Sequence, residues 1–170
     1  MAAPHAYLAR LSVALNNDQA GYLEIPVPKD FDDGPKMGDW VLRSRDGAFV
    51  SFHPTIPRAT SAGELESRAE LIAGGVVHLR LNLGESCGEI EVRRLNLAEG
   101  WSASYADIQC RRRAQTRFTA VAVSGPGLTF DVFSTGMPFE KLEEILTDLR
   151  IVRMSQSRAP MLGATRGLDE

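Results

Sequence analysis

Residues 118–133 read Phe-Thr-Ala-Val-Ala-Val-Ser-Gly-Pro-Gly-Leu-Thr-Phe-Asp-Val-Phe, and the fold turns on how they are interpreted. Phe118, Ala120 and Ala122 alternate with Thr119, Val121 and Val123, a period of two that marks an extended segment buried on at least one face. Ser124-Gly125-Pro126-Gly127 supplies turn chemistry, and Leu128 to Phe133 resumes as a strand. The pair predicts a hairpin with a four-residue connection. Just downstream, Pro138 suits a first helical position, where its missing N–H costs nothing. Glu140, Glu143 and Glu144 follow near the positive end of the helix dipole. Leu142, Ile145, Leu146 and Leu149 recur at helical spacing as one apolar stripe. Residues 113–152 therefore predict strand, strand, helix, with a helix over Pro138–Arg150 laid on the sheet.

Upstream, Leu11, Val13 and Leu15 alternate as a strand, and residues 16–21 form a turn. Tyr22–Val27 is extended, but Pro26 and Pro28 cannot donate to a ladder, so this strand should lie at an edge or end there. Residues 29–39 read as a polar loop. Trp40–Ser44 and Ala48–Phe52 flank Arg45-Asp46-Gly47, a strong hairpin signal. A helix is expected over Ser61–Ala73: Ser61 and Glu64 have capping-box spacing, Leu65, Ala69 and Ile72 form a stripe, and Gly74-Gly75 end it. Val76–Leu83 then reads as a strand, with Val77, Leu79, Leu81 and Leu83 on one face. Two more strands are expected, over residues 89–95 and 101–110. No strand–helix–strand alternation is visible. The fold class is therefore α+β, an antiparallel sheet with two principal helices packed on it. Leu65, Ile72, Leu142, Ile145, Leu146 and Leu149 should be buried against Leu79, Leu81, Phe118 and Phe130. Residues 1–152 form the expected domain, and 153–170, without periodicity, a flexible tail.

The 170 residues carry a net charge of −3, which offers no general basic field for nucleic acid. The N-terminal residues lack a positive n-region, and no segment reaches the roughly 20 apolar residues of a membrane span. A cytoplasmic protein with neither nucleic-acid nor membrane partner is expected. Cys87 and Cys110 could pair only if the strands carrying them were neighbours; free thiols in a reducing cytosol are the expected state. Cys87 as a nucleophile would need a cation or helix start beside it. His5, His53 and His78 are isolated, so no metal site is expected, and no cofactor motif is present. Gly125-Pro126-Gly127 lacks the lysine of a phosphate loop, and Ser124 is not in a nucleophile elbow.

Two features remain as candidates for partner binding. Arg111, Arg112 and Arg113, with Arg117 beyond, either blunt a strand edge or form a docking patch for an acidic partner; alternation places Arg111, Arg113 and Arg117 on one face. Phe31, Met37, Trp40, Phe49 and Phe52 gather around a proline-punctuated loop. Those not taken into the core would form an apolar patch beside an edge strand. Such an edge also permits strand addition by a partner or by a second copy in a homodimer.

The order of elements resembles the PsbP-like α/β sandwich, shared by a photosystem II extrinsic subunit, a Ran-binding nuclear-import factor and small bacterial chaperones of type VI secretion effectors. The resemblance rests on Gly21-Tyr22-Leu23-Glu24-Ile25-Pro26-Val27-Pro28, then Trp40-Val41-Leu42, Ala48–Phe52, the hairpin Phe118–Phe133 and the closing helix Phe139–Ile151. The strand before Asn16 departs from the pattern. A type III secretion chaperone, also small and acidic, is the second architecture; those begin with a helix, against which Pro4 and the alternation of Leu11, Val13 and Leu15 argue. The PsbP-like resemblance carries over no catalytic residues and implies a non-enzymatic, chaperone-like or adaptor module that binds protein by surface complementarity. A small hydrolase or other enzyme with a pocket hidden from the sequence is the alternative.

Overall fold

In the computed structural model, which describes residues 5–36 and 39–154, strands β9 (Gln115–Gly125) and β10 (Leu128–Thr135) form the expected hairpin. The ladder runs from Leu128 opposite Gly125 to Thr135 opposite Phe118. Its connection is shorter than expected, because Ser124 and Gly125 belong to β9 and only Pro126-Gly127 turn the chain. Gly127 sits at φ +82°, a conformation open to glycine without a Cβ penalty.

β8 (Ser102–Arg111) pairs with the other side of β9, and β5 (Phe49–Ile56) with the far side of β10. The large sheet continues through β4 (Asp39–Ser44) to β3 (Phe31–Lys36) at one end. At the other end, β6 (Ser86–Cys87) and β7 (Val92–Leu95) both pair with β8. A second sheet holds β1 (His5–Ala14), β2 (Ala20–Pro28) and β11 (Arg150–Arg153), with β2 in the middle. Every pairing among the described residues is antiparallel.

The layers follow from alternation along the strands. Val121, Val123, Phe130, Val132, Val50 and Phe52 point to one face of the large sheet and meet Leu23, Ile25 and Val27 of β2. Leu142, Ile145 and Leu146 of helix α2 (Phe139–Thr147), with Leu149 just beyond, close the same core. Phe118, Ala120, Ala106 and Ile108 point to the other face, where helix α1 (Ala62–Asn82) packs across β8 and β9. The two helices thus lie on opposite faces of the large sheet. No helix among the described residues is long and apolar enough to cross a membrane.

Several expectations are corrected. α1 does not end at Gly74-Gly75, and Val76–Leu83 is not a strand. Ala69, Ile72, Ala73, Val76 and Val77 continue the helical stripe onto the small side chains of the sheet, and this cover outweighs the two-residue alternation of the leucines. Leu79 and Leu81 are consequently exposed rather than core. The true stop is Gly84, at φ +82°. There the Glu85 N–H bonds the Arg80 carbonyl (3.0 Å) and the Gly84 N–H the Leu81 carbonyl (3.0 Å), both bonds of a Schellman cap. At the other end Ser61 Oγ accepts from the Glu64 N–H (3.3 Å), but the Glu64 carboxylate turns to Arg58 (3.7 Å) instead of completing the box.

Residues 31–36, expected in a loop, form β3. Of the two alternatives for β2, the strand is central and ends at Pro28; its prolines are tolerated because β11 pairs only with Gly21–Glu24 and stops short of Pro26. α2 ends at Thr147, and Arg150–Arg153 is a strand, so Arg153 does not start a tail. Its guanidinium bonds Asn16 Oδ1 (2.8 Å), the Gln19 side chain and the Pro126 carbonyl (3.5 Å). The rest of the expected tail, residues 155–170, lies outside the described residues.

The two classes of glycine give opposite predictions in urea unfolding. A methyl group added at Gly75 would meet no atom within 4 Å, so Gly75→Ala should stabilise by about 0.5–1 kcal/mol. Gly84→Ala, forced into the left-handed region, should destabilise by about 1–2 kcal/mol. A loss of stability in Gly75→Ala would contradict the continuous helix. In the core, Leu146→Ala should cost about 2–5 kcal/mol, whereas Leu79→Ala should stay within about 0.5 kcal/mol.

Candidate docking surface

The end of α1 and the β8–β9 turn come together because α1 runs along β9 in the opposite direction. Thr60, just before the helix, donates its N–H to Ser124 Oγ (2.8 Å) near the end of β9. Arg80, in the last turn, lies over the Phe118 ring (4.5 Å) near its start. Arg80 Nη1 also pairs with Glu85 (3.0 Å), and Arg112 Nη1 donates to the Leu83 carbonyl (3.3 Å), tying the turn to the helix cap.

Cys87 and Cys110 face each other across β6 and β8 and form a disulfide, with Cα atoms 4.0 Å apart. This corrects the expectation of free thiols. Pairing of the two strands was the condition for a bond, and β6 is too short to be recognised from the sequence. Cys87 in this state has no thiolate to act as a nucleophile.

Around this pinned end the surface is both apolar and cationic. Leu79, Leu81 and Leu83 are 58%, 52% and 52% exposed. Arg111, Arg112 and Arg113 are exposed and make no ion pair with an acidic side chain among the described residues. A shallow cleft of about 540 Å³ opens between Arg80, Leu83, Glu85, Arg112 and Arg113.

The register sets Arg111 opposite Gln115, so Arg111 and Arg117 share the face of the sheet away from α1, while Arg113 lies in the turn between the strands. On that face Arg117 clasps Asp107 through Nε (2.9 Å) and Nη2 (2.5 Å). That carboxylate raises the Arg117 pKa above its ordinary value, against the opposing effect of burial. The aromatic candidates do not assemble into a surface patch. Phe31 and Phe52 are buried in the core, Trp40 packs against it, and half-buried Phe49 lies 6.2 Å from Phe133. Met37 lies outside the described residues. The sequence reading misses Arg80 and the three leucines, because residues 76–83 alternate as a strand would; the 3.6-residue stripe through Ile72, Val76 and Arg80 is the signal that points to them.

A second concavity of about 430 Å³ runs along α2, walled by Pro26, Pro28 and Pro138 and rimmed by Glu140, Glu144 and Asp148. Its described lining offers lysines and carboxylates but no serine, cysteine or histidine. Beside it, Lys141 Nζ sits 5.1 Å from the Phe31 ring centre. The exposed Asp46 carboxyl is held below its usual pKa, first by donation from the Ser44 hydroxyl. No group of three or more His, Cys, Asp and Glu side chains among the described residues is placed to hold a metal ion.

No family model and no curated protein matches the sequence. The fold does match solved structures. The solution structure of cyanobacterial PsbP (CyanoP) from Synechocystis sp. PCC 6803 aligns at a TM-score of 0.52 and 14% identity, over 87% of this chain and 94% of that one. A crystal structure from Bacteroides thetaiotaomicron VPI-5482 aligns over 79% of this chain at 12% identity and a TM-score of 0.45; the match spans 46% of that longer chain. The chain has a PsbP-like α+β fold.

The disulfide closes a 23-residue separation, so replacing both Cys87 and Cys110 by alanine should cost about 3 kcal/mol in unfolding free energy. Titration of the unfolded, unreduced protein with a thiol reagent should find no free thiol, and two after reduction. Two reactive thiols before reduction would refute the bond.

Proposed function

We propose that this protein is a non-enzymatic binding module, an adaptor or chaperone-like protein, that docks an acidic, apolar segment of a partner polypeptide at the end of α1. The observation that carries the reading is the half-exposed Leu83 sharing one cleft with Arg112 and Arg113, which have no acidic partner among the described residues, at a helix end that also exposes Leu79 and Leu81. Exposed apolar side chains ringed by one sign of charge are the anatomy of an interface: the apolar part supplies affinity, and the charge supplies steering and register. The surface is also preorganised. The Schellman cap, the Arg80–Glu85 pair, the Arg112–Leu83 bond and the disulfide all fix its backbone, which lowers the ordering entropy lost on association.

The disulfide also bears on location. Such bonds persist in oxidising environments and are rare in the cytosol, which supports an oxidising compartment over the cytoplasm expected from the sequence. For the enzyme alternative, the groove along α2 offers among its described lining no nucleophile paired with a base.

The test uses a fluorescent peptide of alternating leucine and glutamate as probe. Binding by anisotropy should weaken at least about tenfold when Arg112 and Arg113 are both changed to glutamate, and should fall steeply as salt rises. The partner recovered from the native host by affinity capture should be lost with the same double variant. Unchanged affinity in that variant would overturn the proposal.

A further inference from the structure

Sheet edges carry unpaired backbone donors and acceptors, and proteins blunt them with short strands, charges or prolines. Most edges in the described structure have this protection. β11 has four residues with an arginine at each end, and β3 contains Asp32, Asp33 and Pro35. β6 has two residues, and β7 four, including Arg93 and Arg94. β1 lacks it. It is a ten-residue edge strand without proline. Its single Asp, Glu, Lys or Arg is Arg10, and that side chain turns back onto its own sheet, 4.8 Å over the Tyr22 ring and 3.6 Å from Glu24. Tyr7 and Leu8 on this strand are 45% and 43% exposed.

We propose that β1 pairs with β1 of a second copy of this chain, antiparallel about a two-fold axis, joining two three-stranded sheets into one of six. A strand with one charged residue placed off its centre can pair with its own copy without opposing like charges, and that charge excludes one register. Opposed side chains in a ladder share a face, so paired residue numbers must sum to an even value. A ladder centred on Arg10 would set two guanidinium groups opposite each other, which is destabilising. Moving the centre one residue, to Ala9, removes the clash, opposes both exposed apolar residues to side chains of the second copy, and pairs residues 7–11, beyond the irregularity at His5–Tyr7. Leu8 then faces Arg10 of the second copy and packs along its aliphatic stem. Tyr7 faces Leu11 of the second copy, a side chain only partly covered in the monomer. The same interface is made twice, as an isologous contact requires. It lies on the small sheet, whereas the docking surface lies on the α1 side of the large sheet, so failure of one proposal leaves the other intact.

The register makes an asymmetric prediction at one position. Leu8→Lys sets a lysine opposite Arg10 of the second copy in two symmetry-related places, and Leu8→Glu sets a carboxylate there. Both keep the β1–β2 pairing, which circular dichroism and thermal unfolding verify. Sedimentation equilibrium of the full chain should give twice the 18.6 kDa chain mass for the wild type. The dimer dissociation constant should rise at least about tenfold for Leu8→Lys and change by less than about threefold for Leu8→Glu. A wild type that stays monomeric at every concentration would overturn the proposal, including the case where β1 takes a strand from an unrelated protein. A dimer equally insensitive to both substitutions, or equally weakened by both, would place the contact elsewhere or in another register, and would also overturn it.

Discussion

Every residue from Phe118 to Gly125 is buried, and the rest of the molecule is arranged around that fact. A strand buried on both faces needs two apolar layers, and alternation divides its side chains between them. Val121 and Val123 require the small sheet and α2; Phe118, Ala120 and Ala122 require α1. The alanines matter as much as the larger groups. Ala106, Ala120 and Ala122 leave room for a helix to lie close to β8 and β9. That helix must be long enough to cover the strand from Ala122 to Phe118. A chain that left the helical state at Gly74 would uncover Ile108 and Phe118, so tertiary burial holds the two glycines in a conformation to which they contribute little themselves.

The same constraint creates the surface proposed for docking. Once α1 must reach the Phe118 end of β9, its last turn arrives beside the β8–β9 connection. The stripe facing the sheet is already filled by Ala73, Val76, Val77 and Arg80, which leaves Leu79 and Leu81 on the flanks and Leu83 at the cap. The arginines of the turn have no acidic neighbour on the helix end, where Glu85 is already committed to Arg80. Apolar exposure and positive charge meet there because of topology, in a chain whose overall charge is negative.

How much of this could be read from the residues depended on whether two periodicities competed. In Phe118–Phe133 and in Leu142–Leu149 only one period fits, and both elements form where expected. Residues 72–83 satisfy two periods at once: Val77, Leu79, Leu81 and Leu83 alternate, while Ile72, Val76 and Arg80 recur every four. Only the sheet beneath decides between them. Gly74-Gly75 resembles a stop, yet the αL residue that ends the helix is Gly84, ten positions on. β11 and β6 are invisible in the sequence because four and two residues carry no periodicity, and with β6 goes the disulfide. Of the site, Arg112 and Arg113 are legible within an unusual charge run. Arg117 shares a face with Arg111 as alternation predicts, because the three-residue turn Arg112–Ala114 preserves parity, but its engagement by Asp107 of β8 is not legible. Phe31 and Phe52 lie in the core, where most of the aromatics are expected, although β3 itself is hidden in a polar stretch.

The two proposed contacts have a joint consequence. A dimer built on β1 would carry two copies of the α1 end, related by the same two-fold axis, and would present them as a rigid pair because a continuous sheet joins the subunits. For a partner with one acidic segment this changes nothing. For a partner with two, the second engagement becomes intramolecular, and the affinity of the pair exceeds that of either alone by an amount set by the spacing of the segments. Individual contacts between leucines, arginines and an acidic peptide are weak and screened within about 10 Å at 0.1 M salt. Bivalency is then the means by which a small, exposed and salt-sensitive surface could hold a partner firmly. It would also favour clients with repeated or paired acidic segments over the many proteins that carry one.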